Sequence, residues 1–227
     1  MRQYAISDIH GCADTFIALL SKIGFNKEDE LYLLGDLIDR GPKTKELINE
    51  VLQLRAQGYF VECLLGNHEA LMLEALQNQH AQRDLWLQNG GAETLESYFQ
   101  RGIPIIPSSH LDFFERLHFY KKIPGYILVH AGLNFYAQDP FSDKEAMLWI
   151  RGWYRNLDRQ WLGEQVIVHG HTPIPTTQIT KSLENLKTIP ILNIDAGCVY
   201  KGREEFGNLC AFDLTHQVLF FQENIDR

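Results

Sequence analysis

No run of about 18 consecutive apolar residues occurs in the chain, so no membrane-spanning helix is expected. Positive charge is scarce as well. Against 29 aspartates and glutamates stand 21 lysines and arginines, a formal net charge of −8. That balance argues against non-specific nucleic-acid binding through a basic surface, though it leaves room for a local positive pocket around a phosphate. Cysteines are few: Cys12, Cys63, Cys198 and Cys210 lie far apart with no CxxC pair. Buried free thiols are expected, and a zinc knuckle is not. Met1 to Ser7 show no charged region followed by an apolar stretch. No signal peptide is therefore expected, and the cytoplasm is the expected location. Internal repeats and low-complexity segments are also missing.

What is present is 227 residues of ordinary globular composition, enough for one α/β domain spanning residues 1–227. Tyr4–Ser7, Leu31–Leu34 and Phe60–Leu65 read as buried strands. Helical patterns lie between and after them, at Thr15–Ile23, Thr44–Ala56 and from Glu69 to Gln77. This βαβαβ start implies parallel strands joined by right-handed crossovers. Residues from about 81 to 122 read as a mostly helical cap interrupted by Gly90-Gly91, Pro104 and Pro107. Further strands are expected at Tyr126–Val129, Gln165–Val168, Ile191–Ile194, Leu209–Asp213 and Val218–Gln222. The last two form a hairpin about Leu214–Gln217.

Five of these apolar strands end in side chains able to bind metal. They run into Asp8 and His10, into Asp36, into Asn67-His68, into His130 and into His171. In open α/β sheets the loops beyond the strands' carboxyl ends converge on ligands. Asp8 and His10 alternate along an extended segment and can reach one ion together. Carboxylates, imidazoles and one amide make a hard-to-borderline donor set, suited to manganese, iron or zinc. Taken singly, each has a plainer reading, since an aspartate after a strand usually caps a turn. Their joint appearance, each beside glycine or another donor, is what points to a site. His80, His110, His118 and His216 fall outside the pattern.

Three blocks, Ser7-Asp8-Ile9-His10-Gly11, Gly35-Asp36-Leu37-Ile38-Asp39-Arg40-Gly41 and Gly66-Asn67-His68-Glu69, together resemble the signature of the phosphoprotein phosphatase family of metallophosphoesterases. His130 in Val-His-Ala-Gly and His171 in Gly-His-Thr-Pro resemble its two later ligands. The resemblance runs from Asp8 to about Gly202 and is closest to the compact bacterial and phage branch that includes the lambda-type phosphatase. It implies a four-layer α/β/β/α sandwich with two mixed sheets. It also implies two divalent metals, manganese foremost with iron or zinc as alternatives. Asp8, His10 and Asp36 would hold the first, and Asp36, Asn67, His130 and His171 the second. His169 is treated as a neighbour. Pro173 stands where many other metallophosphoesterases carry one more histidine.

Two such ions roughly 3.5–4 Å apart lower the pKa of a shared water toward neutrality, which permits direct in-line attack by hydroxide without a phosphoenzyme. By the same resemblance Arg40 and Arg151 clamp the phosphate, with Asn67 beside them, through the forked geometry that lysine lacks. His68 is the expected general acid and Asp39 its partner. Gly11 and Gly41 are expected at tight turns around the metals. Asp195 either supports a ligand or caps a turn, while Trp149, Trp153 and Trp161 either line the cleft or, as the stronger expectation, pack in the core.

The activity this implies is metal-dependent phosphomonoester hydrolysis by a serine/threonine protein phosphatase. Its substrate would be a phosphorylated protein or small phosphoester, with no nucleic-acid or membrane partner. A symmetrical diadenosine tetraphosphate hydrolase shares the metal positions and is the rival reading. Such enzymes commonly lack the aspartate found here as Asp39, end the third block with aspartate where Glu69 stands, and are longer between the later histidines. All three features favour the phosphatase. A non-catalytic phosphopeptide- or metal-binding module would have lost a ligand or the acid, and none is missing.

Overall fold

A computed structural model describes residues 1–77 and 80–226. The chain begins β1 (Gln3–Ile6), α1 (Ala13–Ile23), β2 (Glu30–Leu33), α2 (Thr44–Ala56), β3 (Phe60–Cys63) and α3 (Asn67–Leu76). A middle stretch holds α4 (His80–Trp86), a turn at Leu87–Gly91 kinked at Gly90, α5 (Ala92–Ser97), the two-residue strands β4 (Phe99–Gln100) and β5 (Ile103–Pro104), and α6 (Ser108–Glu115). Then come β6 (Tyr120–Ile123), β7 (Tyr126–Val129), α7 (Lys144–Trp149), α8 (Arg159–Leu162), β8 (Val166–His169) and α9 (Thr176–Glu184). Strands β9 (Ile191–Asn193), β10 (Asn208–Asp213) and β11 (Val218–Glu223) follow.

Nine strands form two mixed sheets, ordered β11-β10-β1-β2-β3 and β6-β7-β8-β9, and β4 and β5 pair separately as a two-stranded antiparallel sheet. Strands β1, β2 and β3 pair in parallel, as do β7, β8 and β9, and the outer strands β10 and β6 join antiparallel. Ala5, Tyr32 and Phe212 of one sheet meet Leu128, Val168 and Leu192 of the other in a buried layer between them. On the far side of the first sheet, Ile6, Leu31 and Leu33 pack against Phe16, Leu19, Leu47 and Val51 of α1 and α2. Beyond the second, Ile127, Val129 and Ile167 pack against Met147, Trp153 and Leu162. Burial on both faces explains the near-continuous apolar runs of the parallel strands. Among the described residues no helix is long and apolar enough to cross a membrane.

Strand β6, Tyr-Lys-Lys-Ile, overlaps the end of the stretch read from sequence as mostly helical. It is an edge strand, and its two lysines mask the period-2 pattern while protecting the open edge. Elsewhere in that stretch His110 accepts from the Tyr98 hydroxyl (2.7 Å) and donates to Asn49 (3.1 Å), tying α6 to α2. His216 pairs with Asp213 beside the final hairpin, and the side chain of His80 lies outside the described residues.

Helix α1 lacks a cap from its own N-cap residue, Cys12. The buried Asp226 substitutes from the other end of the chain. Its carboxylate accepts from the Asp14 N–H (3.1 Å), the Thr15 N–H (2.9 Å) and the Thr15 hydroxyl (2.7 Å). Asp226→Ala should therefore cost about 1–2 kcal/mol, the usual worth of a carboxylate cap. For a chain of this size that is roughly 2–8 °C in thermal midpoint. An unchanged melting curve would show that the tail contributes no cap.

Candidate metal centre

The motif residues gather at one rim, where the parallel strands of both sheets run out. Asp8 and His10 follow β1, Asp36 to Arg40 follow β2, and Asn67 and His68 open α3 after β3. From the second sheet His130 follows β7 and His171 follows β8. Among the described residues nine non-glycines have positive φ. Six of them are Asp8, His10, Asp36, Asp39, Arg40 and His171, at φ 49–71°. Such backbone costs an L-residue about 1–2 kcal/mol, so its concentration here means that surrounding contacts impose it.

Those contacts are visible. His10 N–H donates to Asp36 O (2.9 Å) and Gly11 N–H to Leu37 O (2.7 Å), joining the first two loops. A Cβ at Gly170 would collide with Ser7 Oγ and Asp8 Oδ2, so only glycine lets the His169–His171 loop approach the first. The buried Glu69 carboxylate fastens the second loop from inside. It accepts from the N–H groups of Asp36 (3.0 Å), Leu37 (2.6 Å), Ile38 (3.2 Å) and Gly66 (2.9 Å). Burial pushes the Glu69 carboxyl up to about 7, and these donors pull it back toward the charged form.

Two clusters of donor atoms share Asp36, one with His10 and His68 and one with His130 and His171. Asp36 Oδ2 lies 3.6 Å from His10 Nε2, and Oδ1 lies 3.4 Å from His130 Nε2. Asp8, expected from sequence to reach one ion with His10 along an extended segment, is outside both clusters, and both residues have positive rather than extended φ, imposed by the contacts between the loops. The buried Asp8 carboxylate accepts from the His171 N–H (3.0 Å) and from the Ser7 hydroxyl. His169 also stays apart, with its Nδ1–H toward Gly170 O and its Nε2 accepting from the Tyr154 hydroxyl (2.6 Å).

The donor set fits divalent cations. His10 and His130 direct Nδ1 at the backbone oxygens of Ile38 (2.8 Å) and Leu34 (2.9 Å), which leaves their Nε2 lone pairs facing inward. The His130 lone pair faces Asn67 Oδ1 at 2.9 Å, acceptor against acceptor. His171 turns Nδ1 to the same oxygen (2.8 Å), and its Nε2 is the one buried side-chain polar atom without a partner among the described residues. Burial, with repulsion from Asp8 and Glu69, holds the Asp36 carboxyl well above the usual range. Burial also lowers His10 and His130, and it takes His171 down to about 2. Facing lone pairs and crowded carboxylates are what a bound cation reconciles.

Beside the clusters, His68 Nδ1 meets Asp39 Oδ2 at 2.7 Å, both groups fully buried. Burial lowers His68 to about 2 and raises Asp39 to about 7, each disfavouring its own charge. The Arg40 guanidinium reaches His10 Nε2 at 2.9 Å. Arg151 is exposed and, among the described residues, has no hydrogen-bond or ion-pair partner. Asp195 closes a turn by accepting from the Gly197 N–H (2.9 Å). Trp153 is buried, whereas Trp149 stands edge-on to His171 with ring centroids 6.1 Å apart.

Four contributors escaped the sequence reading: Ser7, the loop-fastening role of Glu69, and Trp86 and Thr94, which bond Asp39 from the middle stretch. Ser7 and Glu69 flank motif residues and were there to be weighed. Trp86 and Thr94 carry no local signal at all.

Residues 1–217 match the family model described as calcineurin-like phosphoesterase. The chain is 28% identical over 225 residues to the asymmetrical bis(5'-nucleosyl)-tetraphosphatase PrpE of Bacillus velezensis, covering 86% of this chain and 84% of that protein. It is 34% identical over 138 residues to a symmetrical bis(5'-nucleosyl)-tetraphosphatase of Nitrosomonas europaea, 59% of this chain but only 45% of the relative's length. In fold it resembles a protein serine/threonine phosphatase from Saccharomyces cerevisiae with similarity to human phosphatase PP5. There the TM-score is 0.67 at 16% identity, over 100% of this chain and 81% of that one. A family match over nearly the whole chain, on two mixed sheets whose strand ends carry this donor set, makes the protein a member of the calcineurin-like phosphoesterase family.

Proposed function

We propose that the protein is a dinuclear metal-dependent hydrolase of nucleotide phosphoanhydrides, with dinucleoside tetraphosphates as its substrate class. The observation that carries the hydrolase reading is the sharing of Asp36 between two buried donor clusters. The PrpE relative, similar over most of both chains, supports the substrate class. This reverses the order reached from sequence, which put a serine/threonine phosphatase first and the symmetrical tetraphosphatase second.

Asp8, His10 and Asp36 would hold one ion, and Asp36, Asn67, His130 and His171 the other. Bound there, divalent ions, manganese foremost with iron or zinc as alternatives, supply Lewis acidity toward phosphoryl oxygens and acidify water. The residues of the chain do the rest. Arg40 and Arg151 orient the phosphoryl group through their forked N–H donors. Asn67, between His130 and His171, limits how that group can turn. His68, held at Nδ1 by Asp39, presents Nε2 where the leaving oxygen needs a proton. A cavity of about 210 Å³ bordered by Arg151, Tyr154 and Ile174 gives the organic part of a substrate room. Four buried, unpaired thiols suit a reducing compartment such as the cytoplasm.

A second reading, hydrolysis of serine or threonine phosphate monoesters, is favoured by the His68–Asp39 pair. A phosphate leaving from an anhydride is a weak base and departs without help, whereas an alkoxide does not. The proton donor is useful chiefly for the latter. Comparing kcat/KM for diadenosine tetraphosphate and for a phosphothreonine peptide, with manganese-loaded protein, tests the proposal. A clear preference for the dinucleotide is expected, and a preference for the peptide would restore the phosphatase reading. His68→Asn should lower turnover of an alkyl phosphate about 10²-fold or more and that of an aryl phosphate far less. Equal losses would remove His68 from the acid role.

A further inference from the structure

We propose that Trp86 and Thr94, in the stretch after α3, are positioning residues for the His68–Asp39 proton donor, so that this stretch is part of the catalytic apparatus. The inference rests on the hydrolase reading above. Asp39 is wholly buried, and both of its oxygens are held from this stretch. Oδ1 accepts from Thr94 Oγ1 (2.7 Å) and from Trp86 Nε1 (3.0 Å). Oδ2 is also 3.0 Å from the indole nitrogen and faces His68 Nδ1. The Thr94 hydroxyl takes the Asp39 N–H as well (2.9 Å), so one residue grips both the backbone and the carboxylate of Asp39.

The local backbone is shaped for this. A turn kinked at Gly90 sits between the two residues, whose indole and hydroxyl both reach one carboxylate. Gly90, at φ +105°, accepts the Arg40 N–H through its carbonyl (3.0 Å), and a Cβ there would lie 2.8 Å from that same nitrogen. A Cβ at Gly91 would meet the Trp86 ring at 2.5 Å. The stretch buries the Trp86 ring in the core and, beyond that packing, aims an indole N–H and a hydroxyl at the carboxylate that faces the imidazole.

In the reaction the bond between phosphorus and the leaving oxygen breaks and its electron pair stays on that oxygen. The proton on His68 Nε2 passes to it, the attacking water bonds to phosphorus and releases a proton to solvent, and His68 regains one from solvent, so one water is consumed per bond cleaved. An Asp39 carboxylate free to rotate would misdirect His68. The penalty then grows with the basicity of the leaving oxygen, which distinguishes positioning from general destabilisation.

The test compares kcat/KM for p-nitrophenyl phosphate and for an alkyl phosphate, using the manganese-loaded full chain. The proteins are wild type, Trp86→Phe, Thr94→Val and Thr94→Ser, with melting curves for each. Trp86→Phe and Thr94→Val should lose about tenfold or more on the alkyl ester and only a few-fold on the aryl ester. Thr94→Ser, which keeps the hydroxyl, should recover most of the alkyl activity. If Thr94→Val does not fold, Trp86→Phe, which removes only the indole N–H and part of the ring, carries the comparison. Equal losses on both esters, no loss, or no rescue by serine would overturn the proposal. A wild type that cleaves the aryl but not the alkyl ester would overturn it too, leaving the hydrolase reading intact. A wild type that cleaves neither overturns the proposal, and it overturns the hydrolase reading as well if diadenosine tetraphosphate is not cleaved in the same assay.

Discussion

Asp36→Asn should reduce manganese-dependent turnover by about 10³-fold or more while leaving the metal-free protein at least as stable as wild type. Asp36 belongs to both donor clusters, so losing its charge weakens both sites at once, where an outer-shell change typically costs only about 10–100-fold. The stability arm has the opposite sign. Asp36 is buried with Asp8 and Glu69 close enough to raise its pKa well above the ordinary carboxylate range. Asparagine keeps the oxygen that accepts the His68 N–H (3.1 Å) and removes the like-charge repulsion. A change that hurts activity and spares or raises the melting point marks a residue kept for function. Turnover is read with manganese restored, melting with chelator present. A variant that keeps its activity, or that melts well below wild type without metal, would contradict the assignment.

Glu69→Gln should do the reverse and fail by unfolding the site from beneath. The carboxylate accepts four backbone N–H groups of the Asp36 and Gly66 turns. A glutamine amide must point its NH₂ at two of them, because only one of its two positions is an oxygen. Two buried N–H groups without acceptors cost about 1–3 kcal/mol each, so a loss of roughly 2–6 kcal/mol is expected. Activity should fall with it on aryl and alkyl phosphates alike, since the whole loop is displaced. Chemical denaturation of both proteins without metal measures the difference, and a loss below about 1 kcal/mol would show that the turn holds itself.

Much of this centre could be read from the chain because its geometry is local. Each donor follows an apolar strand directly, and the loops are too short to carry Asp8, Asp36, Asn67, His130 and His171 elsewhere once the strands are parallel. The positive φ of Asp8, His10 and His171 was not legible, because those residues ordinarily avoid it and only tertiary contacts impose it. Trp86 and Thr94 were hidden for another reason. They lie 47 and 55 residues from the carboxylate they hold, on helices whose visible pattern is one of packing. Strand β6 was lost to its lysines. The similar proteins support the tetraphosphatase at least as well as the phosphatase placed first from sequence, because Asp39 and Glu69 pair with His68 and fasten the Asp36 loop, contacts that do not distinguish one phosphate-bearing substrate from another.

The most direct test of the two-metal account is a titration of chelator-stripped protein with manganese, following bound metal per chain and p-nitrophenyl phosphate hydrolysis in the same samples. The account requires activity to be absent without metal and to return as binding approaches two ions per chain. Full hydrolysis in the stripped protein, or saturated, well-folded protein that hydrolyses nothing, would contradict it.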